Sequence, residues 1–407
     1  MSVHDDAISM AGDLTQLRHA LHKQPEVGLD IPRTQEQVLS ALQGLPLEVL
    51  TGTGTTSVTA VLRGTGADEA GDEPAPVVLL RGDMDALPVQ ESTGLKFSSQ
   101  VDGAMHACGH DLHTSMLVGA ARLLSHHRDR LSGDVVFMFQ PGEEGWDGAS
   151  VMIEEGVLDV AGPRVSAAFG MHVFSALEPT GQILTRPDVM LSASDGLSVT
   201  VQGEGGHGST PHLAKDPVTA VAEMVTALQT MVTRQFSPFD PVVVTVGSLH
   251  AGTRRNVIPE TASFEATIRT FSSESRARMA VAVPRLLEGI ASAHGVQVEV
   301  RYEDEYPLTI NDRDETRFAA GVITEVFGEQ RHTELAQPLA GSEDFSRVLD
   351  LVPGSFIGLG AVPTGVDPAS APFNHSPKAT FDDAVLADGA ALYAELAVRR
   401  LEQLATP

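Results

Sequence analysis

Residues 106–113 read HACGHDLH, and we interpret the rest of the chain outward from this stretch. It contains Cys108, the only cysteine among 407 residues, together with His106, His110 and His113. Thiolate sulfur and imidazole nitrogen are the ligands with which proteins hold zinc and other borderline metal ions. A lone cysteine is more often a small buried apolar residue. Three histidines around it in a glycine-containing turn nevertheless favour a metal site.

The composition predicts a soluble globular protein, because 42% of the residues are hydrophobic and the mean hydropathy is near zero. A formal charge of −27 argues against nucleic acid or an anionic membrane as a partner, since both require a basic surface. The acidic N-terminus lacks a signal-peptide pattern, and one cysteine excludes an internal disulfide framework. We therefore expect a cytoplasmic protein.

Three short apolar runs that read as buried strands each lead into residues of a metal-ligating type. These are 76–80 before Asp83 and Asp85, 134–139 before Glu143 and Glu144, and 165–171 before His172. Functional sites of open α/β sheets gather at the carboxyl ends of their strands. Asp-Met-Asp at 83–85 suits a turn cap equally well. The Glu-Glu pair can supply one metal ligand and one general base, although it also suits a solvated loop.

The pattern changes after about residue 185, where apolar and polar residues alternate as in half-exposed antiparallel strands. The order β-α-β-β-α-β predicts a ferredoxin-like unit. Its strands are predicted at 195–202, 241–249, 262–271 and 296–302, and its helices at 215–234 and 274–293. This unit reads as an insertion (186–303) between two parts of an α/β domain (1–185 and 304–407).

The α/β parts carry further predicted elements. Helices are expected at 6–23, 33–43, 112–125, 314–327 and 381–403, a hairpin at 47–50 and 57–62, a solvated loop at 64–75 and a strand at 355–359. The sequence AGSEDF at 340–345 resembles a helix N-cap followed by acidic residues.

Nine ordered motifs together resemble the zinc-dependent aminoacylase and carboxypeptidase superfamily. The nearest branch is that of N-acyl-amino-acid amidohydrolases, hippurate hydrolases and auxin-conjugate hydrolases. The motifs are RHALHKQPE (18–26), DMDALP (83–88), HACGHD (106–111), QPGEE (140–144), GMH (170–172), GGHG (205–208), RNVIP (255–259), GSEDF (341–345) and NHS (374–376). The resemblance covers essentially the whole chain.

The resemblance implies a role for each matching residue. Two divalent metal ions would be held by Cys108, His110, Glu144, His172 and His375. Glu143 would be the general base, and Asp85 a carboxylate behind the metal site. His207 would stabilise the oxyanion, while Asn256, Arg269 and Gly341 would bind substrate. The wider superfamily has a ligand histidine where this chain has Asp83. Together with Cys108, this difference assigns the site to the cysteine-containing branch.

The expected activity is hydrolysis of N-acyl amino acids to a carboxylic acid and a free amino acid. The resemblance also implies a homodimer formed through the inserted domain. Because His207 and Arg269 lie in that domain, we expect hinge motion near 185 and 304 to assemble the site. Zinc, manganese, cobalt and nickel all suit the mixed ligand set. Three alternatives stay open: a deacetylase of a biosynthetic intermediate, a dipeptidase, and a metal-binding scaffold without catalysis.

Overall fold

The computed structural model describes residues 3–66 and 75–406. The predicted loop at 64–75 therefore lies largely outside the described residues. Ten α-helices and sixteen strands are found in the described parts of the chain. The helices are α1 (Val3–Ser9), α2 (Ala11–Lys23), α3 (Pro32–Leu42), α4 (His110–His126), α5 (Gly148–Glu154), α6 (Pro217–Gln235), α7 (Ser273–His294), α8 (Arg313–Phe327), α9 (Ser346–Leu349) and α10 (Val385–Leu404).

The strands fall into two larger sheets and two short pairs. They are β1 (Leu47–Thr51), β2 (Val58–Leu62), β3 (Val77–Asp83), β4 (Asp134–Gln140), β5 (Ala167–Phe174), β6 (Ile183–Thr185), β7 (Asp188–Leu191), β8 (Ala193–Gln202), β9 (Gly206–His207), β10 (Val242–Ala251), β11 (Val257–Ile258), β12 (Thr261–Thr270), β13 (Gln297–Tyr306), β14 (Thr309–Asn311), β15 (His332–Glu334) and β16 (Gly354–Gly360).

The chain divides into two compact units. Unit 1 comprises Met1–Met190, Ile310–Gln337 and Asp344–Pro407, and unit 2 comprises Leu191–Thr309 and Pro338–Glu343. The boundaries predicted from the sequence were 185/186 and 303/304. The short segment Pro338–Glu343 was not predicted to belong to the second unit.

Unit 1 is built on an eight-stranded mixed sheet in the order β1-β2-β4-β3-β5-β16-β6-β15. Its central strands consist mainly of apolar residues and are almost entirely buried, as expected for parallel strands covered by helices. Strand β3 pairs in parallel with both β4 and β5, so the carboxyl ends of these three strands lie at one edge. Helices α4 and α10 pack against β3.

Unit 2 contains an antiparallel sheet in the order β10-β12-β8-β13. Helices α6 and α7 pack on this sheet around a separate apolar core. Helix α6 begins at Pro217, and the side chain of the preceding Asp216 accepts a hydrogen bond from the amide of Val218. Helix α7 ends at His294 and is followed by Gly295, whose φ is 67°. The α/β class and the ferredoxin-like second unit are therefore confirmed.

Two local predictions need correction. The single helix expected at 6–23 is two helices, α1 and α2. Met10 separates them and is the N-cap residue of α2, without a side-chain hydrogen bond. The interpretation of 340–345 as a helix N-cap was wrong, since α9 begins at Ser346 and its N-cap, Phe345, makes no side-chain cap. The oxygen of Ser342 instead accepts a hydrogen bond from Arg269 within unit 2. In the described ranges 3–66 and 75–406, no helix is long and apolar enough to cross a membrane.

Candidate metal centre and catalytic site

Gly109 sets the direction of the two residues beside it. Its φ of 87° lies in the left-handed region, and an added Cβ would stand 2.4 Å from Cγ2 of Val173. Helix α4 starts at the next residue, so Cys108 precedes the helix and His110 opens it. Both side chains are buried at the carboxyl edge of the central strands.

Five donor side chains converge in unit 1. The Sγ atom of Cys108 lies 3.4 Å from Nε2 of His172 and 3.3 Å from Nε2 of His375. Oε1 of Glu144 lies 3.1 Å from Nε2 of His375 and 4.0 Å from Nε2 of His110. The structure therefore brings together all five residues that the sequence predicted as metal ligands.

These donors form two overlapping sets, each of which lies within 4.8 Å. One set is Cys108, His110 and His172, and the other is Cys108, Glu144 and His375. Because the two sets share Cys108, the thiolate is placed between two groups of donors. Both ring nitrogens of His110 and Oε1 of Glu144 are buried and make no hydrogen bond to the described residues. Imidazole and carboxylate atoms left unsatisfied in this way, close to the sulfur of Cys108, fit a pair of divalent cations.

The two histidines outside α4 are oriented by the backbone. Nδ1 of His172 lies 2.9 Å from the carbonyl of Val173 and donates to it, which directs the Nε2 lone pair toward Cys108. His375 adopts a φ of 72°, and its amide donates to the carbonyl of Ala107. The side-chain amide of Asn374 donates to the carbonyls of Cys108 and Val173. These bonds hold the loop with His375 against the strand end with His172.

The charges around the donors favour a cation. Burial lowers the pKa of His110, but the carboxylates of Asp83 and Asp85 outweigh it and hold that pKa well above its usual value. Cys108 and Glu144 raise the pKa of His375 to about 10. Burial, with His113 beside it, holds the pKa of His172 well below its usual value. Two of the imidazoles thus face negative neighbours, and the third is kept neutral.

Asp85 positions the adjacent glutamates. Its two oxygens accept hydrogen bonds from the amides of Glu143 at 3.0 Å and Glu144 at 3.2 Å. Oδ1 of Asp85 also lies 3.5 Å from Nδ1 of His110. Glu143 is buried, and it shares a group of possible donors with His110 and Glu144. One carboxylate therefore holds both the predicted base and a predicted ligand.

Sequence reasoning missed the partners of Asp83. Oδ1 of Asp83 accepts from Nδ1 of His113 at 2.5 Å, and Oδ2 pairs with Arg81. Nε2 of His113 accepts a hydrogen bond from the amide of Val173 at 2.8 Å. Both nitrogens of His113 are thus engaged, so it supports the site without offering a lone pair to a metal. Burial raises the pKa of Asp83, but Arg81 first, and then the histidines, hold it well below its usual value.

A second buried polar network joins this one. Arg81 and Gln140 both donate to the carboxylate of Asp344, which also accepts from the amide of Ala149. Asp344 belongs to the GSEDF motif, but nothing in the motif indicates these partners. The available signal was Arg81 itself, a cation within a strand that is otherwise apolar or acidic.

The remaining predicted residues lie in unit 2. Strand β9 carries His207, which is exposed and pairs with Val257 of β11. Nδ1 of His207 accepts from the amide of Ser209 at 3.1 Å, so in the neutral ring Nε2 carries the hydrogen. The carbonyl of the exposed Asn256 accepts from the amide of Gly208. His207 and Asn256 are therefore neighbours.

Arg269 lies on β12 and is half-buried. Its Nη1 atom donates to Oγ of Ser342 at 2.6 Å, next to Gly341, whose carbonyl accepts from Ser192. Burial lowers the pKa of Arg269, while Glu305 and Asp195 oppose this effect. The guanidinium is thus anchored at one nitrogen beside an exposed glycine.

Comparisons with known proteins give one consistent result. The model of peptidase family M20/M25/M40 matches residues 79–399. Thermostable carboxypeptidase 1 of Saccharolobus solfataricus is 36% identical, covering 95% of both chains. N-acetylcysteine deacetylase of Bacillus subtilis is 35% identical, covering 96% of this chain and 97% of its own length. Hippurate hydrolase of Campylobacter jejuni is 32% identical, covering 99% of this chain and 100% of its own length.

A solved structure agrees with these relatives. The crystal structure of the Bacillus subtilis YXEP protein, described as a dinuclear metal binding peptidase of the M20 family, superposes with a TM-score of 0.79. It is 33% identical and covers 97% of this chain and 99% of its own. The resemblance recognised from the nine sequence motifs is therefore confirmed.

Proposed function

The chain belongs to peptidase family M20/M25/M40, and on that basis we propose that it is a metal-dependent amidohydrolase of N-acyl amino acids. The products would be a carboxylic acid and a free amino acid. The single observation that carries this proposal is the pair of donor sets that share Cys108, with Glu143 beside them. The named relatives support it, because a carboxypeptidase, a deacetylase and a hippurate hydrolase all act on an amide formed by an amino acid.

The metal ions would be held by Cys108, His110, Glu144, His172 and His375. When bound, two divalent ions would polarise the amide carbonyl and make water a stronger nucleophile near neutral pH. We propose zinc first because thiolate and imidazole favour it, with manganese, cobalt or nickel as possible occupants of the same donors.

Glu143 would move the proton. Its carboxylate would take a proton from the attacking water and return it to the nitrogen of the leaving amino acid. The hydrogen bond from its amide to Asp85 fixes the backbone of this residue. Burial keeps the carboxylate away from bulk water, where a proton would otherwise be lost.

Three residues of unit 2 would act on the substrate. The hydrogen on Nε2 of His207 would stabilise the negative charge that develops on the carbonyl oxygen. The guanidinium of Arg269 and the amide of Asn256 would bind the substrate carboxylate, for which a planar fork of N–H groups is well suited. Gly341 would leave room beside Arg269 for this group.

The second candidate is a dipeptidase or carboxypeptidase, which the similarity to a carboxypeptidase favours. A deacetylase with one specific substrate is the third. The two reactions differ from the first only in the acyl group, so a substrate panel separates them.

We also propose a homodimer formed through unit 2. Strand β10 lies at one edge of the sheet and has no charged residue, whereas β13 at the other edge carries Glu299, Arg301, Glu303, Asp304 and Glu305. Charged side chains protect a sheet edge from pairing. The uncharged β10 therefore suits a second copy of itself. Val243→Lys should convert the dimer to a monomer in light scattering; an unchanged mass would reject β10 as the interface.

The experiment that tests the function is amino-acid release from acetyl, benzoyl and indole-acetyl amino acids and from dipeptides. Apo-protein would be reloaded separately with zinc, manganese, cobalt or nickel. Release that depends on the metal and is abolished by a chelator supports the proposal. If the metal-loaded protein released no amino acid from any substrate of the panel, the proposed function would be rejected. We also propose that the enzyme works in the cytoplasm, because a single cysteine among 407 residues provides no disulfide framework for an oxidising compartment.

A further inference from the structure

Among the exposed large apolar side chains of unit 1, two lie close in sequence to the predicted ligands His172 and His375. Phe373 is 46% exposed and lies two positions before His375. Leu177 is 61% exposed and lies five positions after His172. Exposed apolar groups that adjoin a site of chemistry mark a surface that binds an apolar partner.

The segments with these side chains run next to each other. Oγ of Ser175 donates to the carbonyl of Pro372, and its amide donates to Oδ1 of Asn374. The amide of Leu177 donates to the carbonyl of Pro368 at 2.8 Å. The two exposed side chains are thus carried by segments that hydrogen bonds join at several points.

An aromatic series connects this surface to the metal ligands. The ring of Phe373 stacks on that of Phe174 with centroids 6.4 Å apart and an angle of 12° between planes. The ring of Phe174 in turn lies 5.3 Å from that of His172. Phe174 is nearly buried, so one face of the Phe373 ring packs on it while the rest of the Phe373 side chain remains exposed.

Leu177 has an unusual backbone conformation. Its φ is 74°, in the left-handed region that residues other than glycine, asparagine and aspartate rarely adopt. Such conformations persist where the surroundings enforce them, and they cluster at functional sites. Here the hydrogen bond from the amide of Leu177 to the carbonyl of Pro368 fixes the conformation, and the leucine side chain remains exposed.

We propose that Phe174, Leu177 and Phe373 form the acyl subsite, and that it takes an aromatic acyl group such as benzoyl. This inference rests on the proposed function. Neither 172–178 nor 368–376 contains a lysine or arginine, so the surface does not suit the substrate carboxylate. The residues proposed for that carboxylate belong to unit 2. A neutral planar group fits the rigid aromatic face of Phe373 by stacking.

The test compares kcat/KM for N-benzoylglycine and N-acetylglycine on the metal-loaded enzyme. Phe373→Ala and Leu177→Ala should each lower the value for the benzoyl substrate about tenfold and that for the acetyl substrate less than twofold. Phe373→Leu should recover part of the loss. Equal changes for both substrates, or no change, would overturn the subsite.

Leu351→Ala is the matched control. Leu351 is 50% exposed and precedes β16, whose first residue pairs with Ala168 near the start of β5, away from His172. It should leave the ratio of the two kcat/KM values unchanged. Metal content and thermal unfolding of every variant would establish that the fold is intact.

A binding measurement separates this inference from the proposed function. Benzoate and acetate would be titrated calorimetrically into the metal-loaded protein. Benzoate affinity that falls about tenfold in Phe373→Ala supports the subsite, even if no N-acyl amino acid is hydrolysed and the proposed function fails. Hydrolysis of both substrates with an unaltered benzoate affinity in the variants would reject the subsite alone.

Discussion

The Nε2 atom of His375 lies 3.3 Å from the Sγ atom of Cys108, although 267 positions separate the two residues in the chain. The amide of His375 donates to the carbonyl of Ala107, which precedes the cysteine. The loop near the C-terminus is therefore bound to the turn before α4 by both its backbone and its side chain. This contact completes the second donor set.

Cys108→Ser should weaken metal retention, because the shared thiolate would become a neutral hydroxyl, which binds zinc poorly. We expect metal content after dialysis to fall from two ions to fewer than one per chain, measured by atomic emission. His127→Asn is the control, since it removes a member of the separate group of Asp6, His126 and His127. Undiminished metal in the serine variant would remove Cys108 from the ligands.

Glu143→Gln should retain metal and lose turnover by about 10²- to 10⁴-fold, because the amide cannot accept the proton. Metal content and kcat would be measured on the same sample. Asp85→Asn should lower both turnover and metal content, since Asp85 accepts hydrogen bonds from the amides of both Glu143 and Glu144. Turnover near the wild-type rate in Glu143→Gln would refute its role as base.

Asp83→Asn should destabilise the folded protein by about 3 kcal/mol, because the variant removes one of the carboxylates that neutralise the buried Arg81. Denaturant unfolding of the chelated protein measures the loss. The control is Asp159→Asn, whose partner Arg164 is solvent-exposed, so the ion pair should contribute little. Equal stability of the two variants would contradict the assigned role of Asp83.

Gly109→Ala combines two costs. The alanine would have to adopt a φ of 87°, and its Cβ would lie 2.4 Å from Cγ2 of Val173. We therefore expect the free energy of unfolding to fall by about 2–4 kcal/mol. Gly103→Ala is the matched control, because that φ is 75° but no atom lies within 4 Å of the added Cβ. Its loss should be about 1–2 kcal/mol. The difference between the losses in the two variants gives the cost of the steric overlap between the added Cβ and Val173.

His22 should make stability depend on pH. Burial lowers its pKa, but Asp111, 2.8 Å from Nδ1, and Glu91, 3.4 Å from Nε2, raise it to about 9 despite the nearby Arg18. The folded state thus favours the imidazolium. Its contribution, about 3 kcal/mol, is fully present below about pH 6.5 and is lost as the pH rises through 9.

The measurement is the free energy of unfolding from pH 6 to pH 10. His22→Gln should remove the decrease between pH 6.5 and 9, whereas the exposed His126→Gln should keep it. A wild-type profile that stays flat over this interval would show that His22 is not charged in the fold.

The sequence alone determined the elements and the residue types of the site. Continuous apolar runs identified β3, β4 and β5, and the alternation of apolar with polar residues identified β8 and β12, because these periods reflect burial on two faces or one. The ends of the three parallel strands indicated where the ligands would meet. Family resemblance then assigned His375, which no local pattern could have connected to Cys108.

Tertiary structure decided what depends on contacts between distant residues. Ser342 looks like a helix cap in the sequence, but it pairs with Arg269 in unit 2. His113 resembles a ligand as closely as His110 does, yet Asp83 and the amide of Val173 occupy its two nitrogens. Short strands such as β9 and β15 are formed by their partners and have no periodicity to read. Hydrogen-bond partners and packing are set by three-dimensional proximity, which residue spacing does not encode.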